Sequence, residues 1–325
     1  MATALRSLQL IPSVSLAPHP TPIDELSRLR AALGPECPRL LMKRDDLLSF
    51  GQGGNKVRKM QTVAAEAQTA NADLLITCGG VQSNHARVTA AAGSVLGMKV
   101  VLVANGARPA SLTGNARLDA LFGAEVRYVA SREERNTMMA TIADAARAAG
   151  RRPFIVPLGA STPTGAIGFA RGVEELVASP HRPAAIVHST SSGGTQAGLI
   201  IGCALFGVKA RIIGISADDP SATLGVTIAD LLRGAALRLG ASPSTVGADG
   251  PVEVDDTCVG GGYGVPTPES TAALELVART EGIVLDPVYT AKAMAGLLAR
   301  VRRGEWRRDD TVLFWHTGGV PGYFA

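Results

Sequence analysis

Short apolar segments rich in β-branched residues alternate along this chain with longer segments rich in Ala. The short segments predict buried strands, and the Ala-rich segments predict helices. The predicted strands cover residues 74–78, 100–104, 125–129, 154–157, 185–189, 211–216 and 311–316, and the clearest predicted helices cover residues 132–149, 195–206 and 271–280. This alternation predicts an α/β fold with mainly parallel sheets flanked by helices. Residues 249–263, rich in Gly and Asp, are predicted to form a loop.

Three of the predicted strands end in Gly-rich or Ser-rich turns. These turns are Cys78-Gly79-Gly80, residues 189–195 and residues 316–319. Open α/β sheets bind ligands at the carboxyl ends of their strands. The three turns therefore predict a single cleft that is built from distant parts of the chain.

The composition fits a folded chain that is long enough for two lobes around a cleft. The sequence has 325 residues, of which 46% are apolar and 18% charged, and this balance argues against disorder. The formal net charge is only +4 and aromatic residues make up 4%, so a nucleic-acid surface is not expected. The densest basic run, at Arg300, Arg302, Arg303, Arg307 and Arg308, is interpreted as a solvated helix end.

Metal-binding and membrane-spanning segments are not expected either. The four Cys and five His residues are scattered and no C-x-x-C motif occurs, so neither a metal site nor a disulfide framework is predicted. No apolar run approaches the roughly 20 residues that span a bilayer. Residues 1–20 lack the charged-then-apolar layout of a secretion signal. A cytoplasmic location is the resulting expectation.

Lys56 follows a cluster of glycines at Gly51, Gly53 and Gly54. A Gly cluster lets the backbone approach a ligand closely, and a helix is predicted to begin directly after it. The helix N-terminus and nearby cations favour the neutral amine of Lys56, which suits covalent chemistry with a carbonyl compound. A surface lysine in a basic helical turn is the alternative.

The segment Ser189–Gly198 places hydroxyl groups and glycines between an apolar strand and an apolar helix. Free backbone N–H groups and hydroxyls at a helix N-terminus form a cradle for phosphate. The segment matches neither the G-K-[ST] nor the G-x-G-x-x-G pattern, so a nucleotide loop is not predicted. An ordinary capped turn is the alternative.

Two further groups of polar residues are candidates for substrate contact. Residues 79–87 carry Ser83, Asn84 and His85 between a strand and an Ala-rich helix, where N–H groups and a hydroxyl suit a carboxylate. Tyr263 and Tyr289, two of only four tyrosines, lie in Gly-rich or Pro-containing loops. A helix cap and ordinary packing are the respective alternatives.

Six motifs together resemble the family of D-cysteine desulfhydrases and 1-aminocyclopropane-1-carboxylate (ACC) deaminases. They are GGNKVRK, QSNHAR, GGTQAG, GYGVP, LDPVYTAKAMAGL and HTGGVP. The resemblance extends from about Leu16 to Phe324. It implies a two-domain, fold-type II enzyme similar to the tryptophan synthase β-subunit, with pyridoxal 5′-phosphate (PLP) between the domains. Residues 1–58 and 166–325 would form the larger domain and residues 59–165 the smaller one.

The resemblance also implies a role for each motif. Lys56 would carry PLP and move protons, Asn84 would bond the 3′-oxygen, and Thr290 would face the pyridine nitrogen, with Thr317 nearby. Ser83, Asn84 and His85 would meet the substrate carboxylate, with Tyr263 and Tyr289 flanking the substrate. The phosphate would be held by Ser192, Gly193, Gly194 and Thr195. A homodimer that acts on a small amino acid is the expected state.

The sequence departs from the family in three places. Met60-Gln61 replaces the usual Leu-Glu, Gln52 interrupts the small residues before GGNK, and residues 216–251 look shortened and diverged. The last departure affects the expected substrate rather than the cofactor.

The favoured activity is β-elimination from D-cysteine, which yields pyruvate, hydrogen sulfide and ammonia. Relatives that resemble ACC deaminase carry Glu at the position of Thr290 and Leu at that of Thr317. A Thr hydroxyl leaves the pyridine nitrogen largely neutral, which suffices for expelling a thiolate but disfavours opening a cyclopropane. L-cysteate sulfo-lyase and ACC deaminase activities remain alternatives, and a non-catalytic PLP-binding protein is a more remote one.

Overall fold

Two β-sheets organise the chain in the computed structural model, which describes residues 2–325. The strands are β1 (Ile23–Glu25), β2 (Arg39–Arg44), β3 (Leu74–Gly80), β4 (Lys99–Asn105), β5 (Glu125–Val129), β6 (Pro153–Ile155), β7 (Ala185–Thr190), β8 (Arg211–Ser216), β9 (Glu253–Asp255) and β10 (Thr311–His316). One sheet has the order β1-β2-β10-β7-β8-β9 and the other β5-β4-β3-β6. Only β1 and β2 pair antiparallel, and all the other pairs are parallel.

Eleven α-helices surround these sheets within residues 2–325. They are α1 (Ala2–Leu10), α2 (Ser27–Leu33), α3 (Lys56–Thr69), α4 (Asn84–Leu96), α5 (Gly114–Leu121), α6 (Glu134–Ala148), α7 (Pro163–Ala178), α8 (Gly194–Phe206), α9 (Ser221–Leu239), α10 (Pro268–Glu281) and α11 (Thr290–Arg302). Five short 3-10 helices lie at 45–47, 50–52, 158–160, 243–246 and 320–324. None of the helices described is long and apolar enough to cross a membrane.

The fold class predicted from the sequence is confirmed, and all seven predicted strands are present within two residues of their expected ends. Three further strands, β1, β2 and β9, were not predicted. In strand β2 the short apolar centre, Leu40–Met42, is flanked by charged residues. Strand β9 lies inside the segment 249–263 that was expected to be a loop. Strands β1 and β9 are three-residue edge strands, and β2 has an apolar centre of only three residues, so tertiary pairing rather than apolar periodicity decides them.

The four-stranded sheet comes entirely from residues 74–155, within the predicted smaller domain. The six-stranded sheet combines strands from both sides of that segment. The predicted boundaries at 58/59 and 165/166 fall inside α3 and α7, which pack on each other, with the Thr62 hydroxyl donating to the Thr164 carbonyl at 2.9 Å. The exact domain limits therefore stay a prediction.

The basic run near the end of α11 differs from the expectation in one residue. Arg300 is only 9% exposed and donates to Asp255 at 2.8 Å, to Glu253 at 3.1 Å and to Glu305 at 2.8 Å. The interpretation as a solvated helix end is wrong for Arg300, because this side chain ties α11 to the edge strand β9. Arg302 and Arg303 do lie at the exposed end of the helix.

Candidate active site

A cleft of about 420 Å³ opens where the carboxyl ends of β3 and β7 approach each other from the two sheets. Its walls include Lys56, Ser83, Ser192, Tyr263 and Tyr289. A narrower pocket adjoins it, lined by residues 189–193, Thr195, Thr317 and Gly318. The three turns singled out in the sequence thus meet at one place, as the parallel arrangement of the strands predicts.

Lys56 is the first residue of α3 and faces the cleft. Two positions in the preceding loop require glycine, because Gly53 and Gly54 have φ values of 74° and 101°. A Cβ on Gly53 would lie 2.4 Å from the Asp46 carbonyl oxygen, and one on Gly54 would lie 2.9 Å from the Thr317 carbonyl oxygen. Close backbone packing therefore sets where α3 begins and where Lys56 points.

The amine of Lys56 has a lowered pKa. Burial lowers it to about 8, although a hydrogen bond with Lys59 and the charge of Asp218 act in the opposite direction. A neutral amine is therefore accessible near neutral pH, and the neutral form is the one that attacks a carbonyl carbon.

Lys59 is a second lysine, behind the cleft wall at Ser161, that the sequence interpretation missed. It lies one helical turn after Lys56, is fully buried, and donates to the Ser161 hydroxyl at 3.1 Å. Burial and the charge of Lys56 hold the pKa of Lys59 well below its ordinary value. The i, i+3 spacing on one helix could have revealed it, because such residues share a face.

The N-terminus of α8 forms the base of the narrower pocket. Gly193 precedes the helix with a φ of 75°, and a Cβ there would lie 3.0 Å from Ile228. The Thr195 hydroxyl accepts a hydrogen bond from the Asn55 side chain at 2.8 Å, which leaves its own proton available to the pocket. Ser192 and Ser161 pair through their hydroxyls at 2.8 Å. This arrangement presents N–H and O–H donors to an anion.

The N-terminus of α4 forms the opposite wall. Ser83 caps the helix by accepting from the Ala86 backbone N–H at 3.2 Å. The backbone N–H groups of Asn84 and His85, in the first turn, have no carbonyl partner within the helix. They are suited to bind a carboxylate together with the Ser83 hydroxyl.

The His85 side chain does not serve that purpose. The Thr77 hydroxyl gives its proton to the Val156 carbonyl at 2.7 Å and must therefore accept from His85 Nε2, also at 2.7 Å. The ring is neutral, since burial and the charges of Lys56 and Lys59 hold its pKa well below the ordinary value. Its remaining nitrogen, Nδ1, is a buried acceptor without a partner among the described residues. A neutral acceptor cannot donate to a substrate carboxylate.

Tyr263 and Tyr289, both predicted to flank the substrate, lie next to each other in the cleft. Their hydroxyl oxygens are 2.5 Å apart, and the rings pack edge to face. Burial raises the pKa of both, that of Tyr289 well above 10, so both hydroxyls keep their protons near neutral pH. Arg132 lies over the Tyr263 ring at 5.0 Å.

Comparisons with known proteins agree with this geometry. A profile of the family described as "Pyridoxal-phosphate dependent enzyme" matches residues 14–318. The chain belongs to this family. Two D-cysteine desulfhydrases, from Yersinia enterocolitica and Yersinia pestis, are 35% and 36% identical over 333 and 331 residues, which is 99% of this chain and 98% of each relative.

Solved structures place this PLP-dependent enzyme in fold type II. A structure described as an ACC deaminase homologue superposes with a TM-score of 0.91 and 35% identity, covering 100% of this chain and 97% of that one. Threonine deaminase isoform 2 from Solanum lycopersicum shares the fold with a TM-score of 0.69 at 16% identity, covering 98% of this chain and 84% of that one.

The cleft of this PLP-dependent enzyme fits its cofactor. Lys56 and Lys59 are neighbouring buried amines whose charged forms are disfavoured, and a phosphate nearby would supply the negative charge that favours those forms. The hydroxyl oxygens of Ser189 and Thr190 are buried beside the pocket without hydrogen-bond partners among residues 2–325. Such groups ordinarily have partners, so the donors and acceptors present match a polar ligand.

The two threonines expected near the pyridine ring differ in their surroundings, because one lines a pocket and the other is buried. Thr317 lines the narrower pocket. Thr290 is fully buried at the start of α11, where its hydroxyl donates to Asp286 at 2.7 Å and accepts from the Asp286 N–H at 2.8 Å. The proton of Thr290 is thus already engaged, and its contact with the cofactor stays a prediction.

The diverged segment of residues 216–251 contributes to the cleft wall through Asp218, Asp219, Leu224 and Thr227. Asp218 accepts from the Ser191 hydroxyl at 3.3 Å and lies 3.7 Å from Arg132. No signal in the sequence marks Asp218, because its place depends on how β8 ends beside β7. Asn55 and Ser161 were missed because their partners, Thr195 for Asn55 and Lys59 and Ser192 for Ser161, come from distant segments.

Proposed function

We propose that this PLP-dependent enzyme is a β-elimination lyase whose substrate is D-cysteine. D-cysteine and water would give pyruvate, hydrogen sulfide and ammonia. The observation that carries the proposal is the pair of protonated hydroxyls on Tyr263 and Tyr289 in the same cleft as Lys56. The name and the full-length coverage of the D-cysteine desulfhydrases support it.

PLP supplies the electron sink that makes the α-carbon acidic. The residues proposed to hold it are Lys56, which carries it, and Asn84 at its 3′-oxygen. The turn of Ser192, Gly193, Gly194 and Thr195 would hold its phosphate, with Lys59 close by. The low pKa of Lys56 suits its Nζ to accept the proton from the substrate α-carbon.

The substrate carboxylate is proposed to lie at the N-terminus of α4. Ser83 would donate its hydroxyl proton, and the N–H groups of Asn84 and His85 would complete the site. This contact orients the α-hydrogen and the sulfur of D-cysteine relative to Lys56 and the two tyrosines.

The tyrosines act on the leaving group. When the Cβ–S bond breaks, the sulfur departs with the electron pair and needs a proton. Tyr263 donates this proton through its hydroxyl, because the hydrogen bond with Tyr289 acts to lower the pKa of Tyr263 and stabilises the resulting charge. The raised pKa of each tyrosine fits an acid rather than a base.

One observation favours a second candidate, L-cysteate. Arg132 and Arg135 both line the cleft and could meet a sulfonate. Arg132 is already close to Asp218 and to the Tyr263 ring, however, and Asp218 would repel an anion. These contacts favour a neutral thiol at this end of the cleft.

The test is release of keto acid from a panel of D-cysteine, L-cysteine, L-cysteate, β-chloro-D-alanine and ACC. We expect kcat/KM to be highest for D-cysteine and very low for ACC. Thr290→Glu combined with Thr317→Leu tests the predicted contact of residue 290 with the ring nitrogen, since a carboxylate at that nitrogen would favour its protonated form and shift the ratio toward ACC. A kcat/KM for ACC equal to or above that of every β-substituted substrate would overturn the proposal. Bound PLP without turnover of any substrate would favour a non-catalytic role.

The working state is proposed to be a cytoplasmic homodimer. Leu47, Leu121 and Phe324 border one surface groove and are 53%, 75% and 68% exposed, which is unusual for side chains in permanent contact with water. All four cysteines are free thiols, as in a reducing compartment. Light scattering on the intact protein and on Leu121→Asp measures the assembly, and a monomeric unmodified protein would contradict it.

A further inference from the structure

The oxygen of the Asn84 side-chain amide is turned away from the cleft. It accepts a hydrogen bond from the Asn115 side-chain nitrogen at 3.0 Å and a longer one from Arg87 at 3.4 Å. A guanidinium group has donors only, so the atom that faces it must be an acceptor. The amide nitrogen of Asn84 therefore lies on the other side.

Asn115 has its own orientation fixed by the backbone. Its side-chain nitrogen donates to the Gln82 carbonyl oxygen at 2.8 Å, and its backbone N–H donates to the Gln82 side-chain oxygen at 2.8 Å. A backbone carbonyl can only accept, so the Asn115 amide cannot be reversed without losing both of its side-chain hydrogen bonds. Asn115 is also fully buried, and its side-chain oxygen has no hydrogen-bond partner among residues 2–325, so the two bonds donated by its side-chain nitrogen are the ones that fix the amide.

We propose that Asn115 is a positioning residue that, with Arg87, holds the Asn84 amide with its NH₂ group directed into the cleft. Asn84 lines the cleft beside Lys56 and Ser83. The orientation follows from a chain of obligatory donors and acceptors that begins at a backbone carbonyl on α4's preceding turn and ends at the cleft. The inference rests on the proposed contact of Asn84 with the 3′-oxygen of PLP.

This orientation has a chemical consequence. An N–H group donated to the 3′-oxygen stabilises its anionic form and lowers the pH at which that oxygen ionises. The reverse orientation would place a carbonyl oxygen against it and raise that pH. Asn115 thus determines whether Asn84 lowers or raises the pH at which the 3′-oxygen ionises, without contacting the cofactor itself.

The experiment is a pH titration of the visible absorbance band of the lysine-bound cofactor in the substrate-free holoenzyme. In Asn115→Asp the introduced carboxylate cannot donate, so it would draw the NH₂ group of Asn84 toward itself. We expect the titration midpoint to rise by about one pH unit or more. Asn115→Ala, which leaves Arg87 alone on the Asn84 oxygen, should give a smaller rise in the same direction. Asn71→Asp, on an exposed turn after α3, is the matched control and should leave the midpoint unchanged.

Asn84→Leu separates this inference from the proposed role of Asn84. If Asn84→Leu leaves the midpoint unchanged, Asn84 does not touch the cofactor and the proposed role fails. If Asn84→Leu raises the midpoint while Asn115→Ala titrates like the unmodified holoenzyme, the positioning role of Asn115 is overturned. Should Asn115→Asp fail to fold, Asn115→Ala decides alone, with its thermal unfolding measured alongside. A loss of stability without a midpoint change would mark Asn115 as merely structural.

Discussion

Two clusters of buried charge lie on opposite sides of α3, and they differ in how their charges are matched. The Arg58 network consists of Lys43, Asp45, Arg58, Glu175 and Trp315. Arg58 donates to Asp45 at 2.7 Å and to Glu175 at 2.6 Å, Lys43 donates to Glu175 at 2.6 Å, and the Trp315 ring nitrogen donates to Asp45 at 2.7 Å. Each charged group in this network has a partner of opposite charge.

Within residues 2–325, the cleft cluster of Lys56 and Lys59 has no carboxylate that forms an ion pair with it. Lys59 has a serine hydroxyl and another lysine as its neighbours, and Asp218 acts on Lys56 only at a distance. Burial would raise the pKa of Glu175 in the Arg58 network, but hydrogen bonds from His19 and Arg58 and the nearby positive charges hold it below its ordinary value. Burial also lowers the pKa of Lys43, but there the bonded Glu175 opposes it, whereas no carboxylate opposes the effect of burial on the pKa of Lys59.

This difference distinguishes buried charges that stabilise the fold from buried charges that belong to a ligand site. A buried charge with its partner present fixes the fold, whereas a buried charge without one indicates a ligand that brings the opposite charge. Both clusters lie along α3, so the same helix is anchored to the framework on one side and is proposed to carry the cofactor on the other.

The largest effect is expected from Lys56→Ala. This substitution removes the amine that is proposed to link the cofactor, so the absorbance of the lysine-bound cofactor and essentially all turnover should disappear. Absorbance spectra before and after borohydride reduction, with mass mapping of the labelled peptide, measure this. An unchanged spectrum in the variant would place the covalent link elsewhere.

Lys43→Met breaks the matched cluster. The Lys43 amine also donates to the Thr21 carbonyl at 2.6 Å, so its removal leaves two buried acceptors short of a donor. The free energy of unfolding should fall by about 3 kcal/mol, because Glu175 keeps Arg58 and the loss stays at the lower end for a broken buried pair. Denaturant unfolding of the apoprotein measures it. An unchanged free energy of unfolding would mean that the Arg58 network does not stabilise the fold.

Lys59→Met makes the same substitution in the unmatched cluster. The apoprotein should unfold with a free energy equal to or higher than that of the unmodified chain, since a buried amine whose charged form is disfavoured has been replaced by an apolar side chain. The affinity for PLP should fall by roughly 10-fold to 100-fold, the range of a charge-assisted hydrogen bond. Calorimetric titration with PLP and with inorganic phosphate measures this. A destabilised apoprotein with normal PLP affinity would reverse the assignment of the two clusters.

The smallest effect is a pH dependence. The pKa of Lys56 is lowered to about 8, so its amine is mostly protonated below that pH and mostly neutral above it. The rate of covalent PLP capture by the apoprotein should rise about tenfold per pH unit below 8 and level off above it. In Lys56→Ala only exposed lysines can react, and that rate should keep rising toward pH 10. A capture rate that rises steadily through pH 10 in the unmodified protein would exclude the lowered pKa.

Much of the cleft could be predicted from the sequence because its parts carry local signals. Glycines before Lys56 and at Gly193 mark close backbone approach, and strand ends of a parallel sheet meet at one edge. The residues that were missed, such as Ser161 and Asn115, depend on contacts between distant segments. Thr290 shows the converse, since a motif located it while the neighbouring Asp286 determines what its hydroxyl can do.

Lys292 gives the cleft a property that bears on how this enzyme can change. It is fully buried in α11, and its amine donates to three backbone carbonyls, those of Ala217 at 3.2 Å, Val259 at 2.8 Å and Gly262 at 2.8 Å. These carbonyls belong to the two loops that carry Asp218 and Tyr263. Because Lys292 recognises main-chain oxygens, substitutions in either loop alter what the cleft displays while the course of the loop is kept. A pocket held in this way can acquire new substrates through single point mutations, with its scaffold inherited intact.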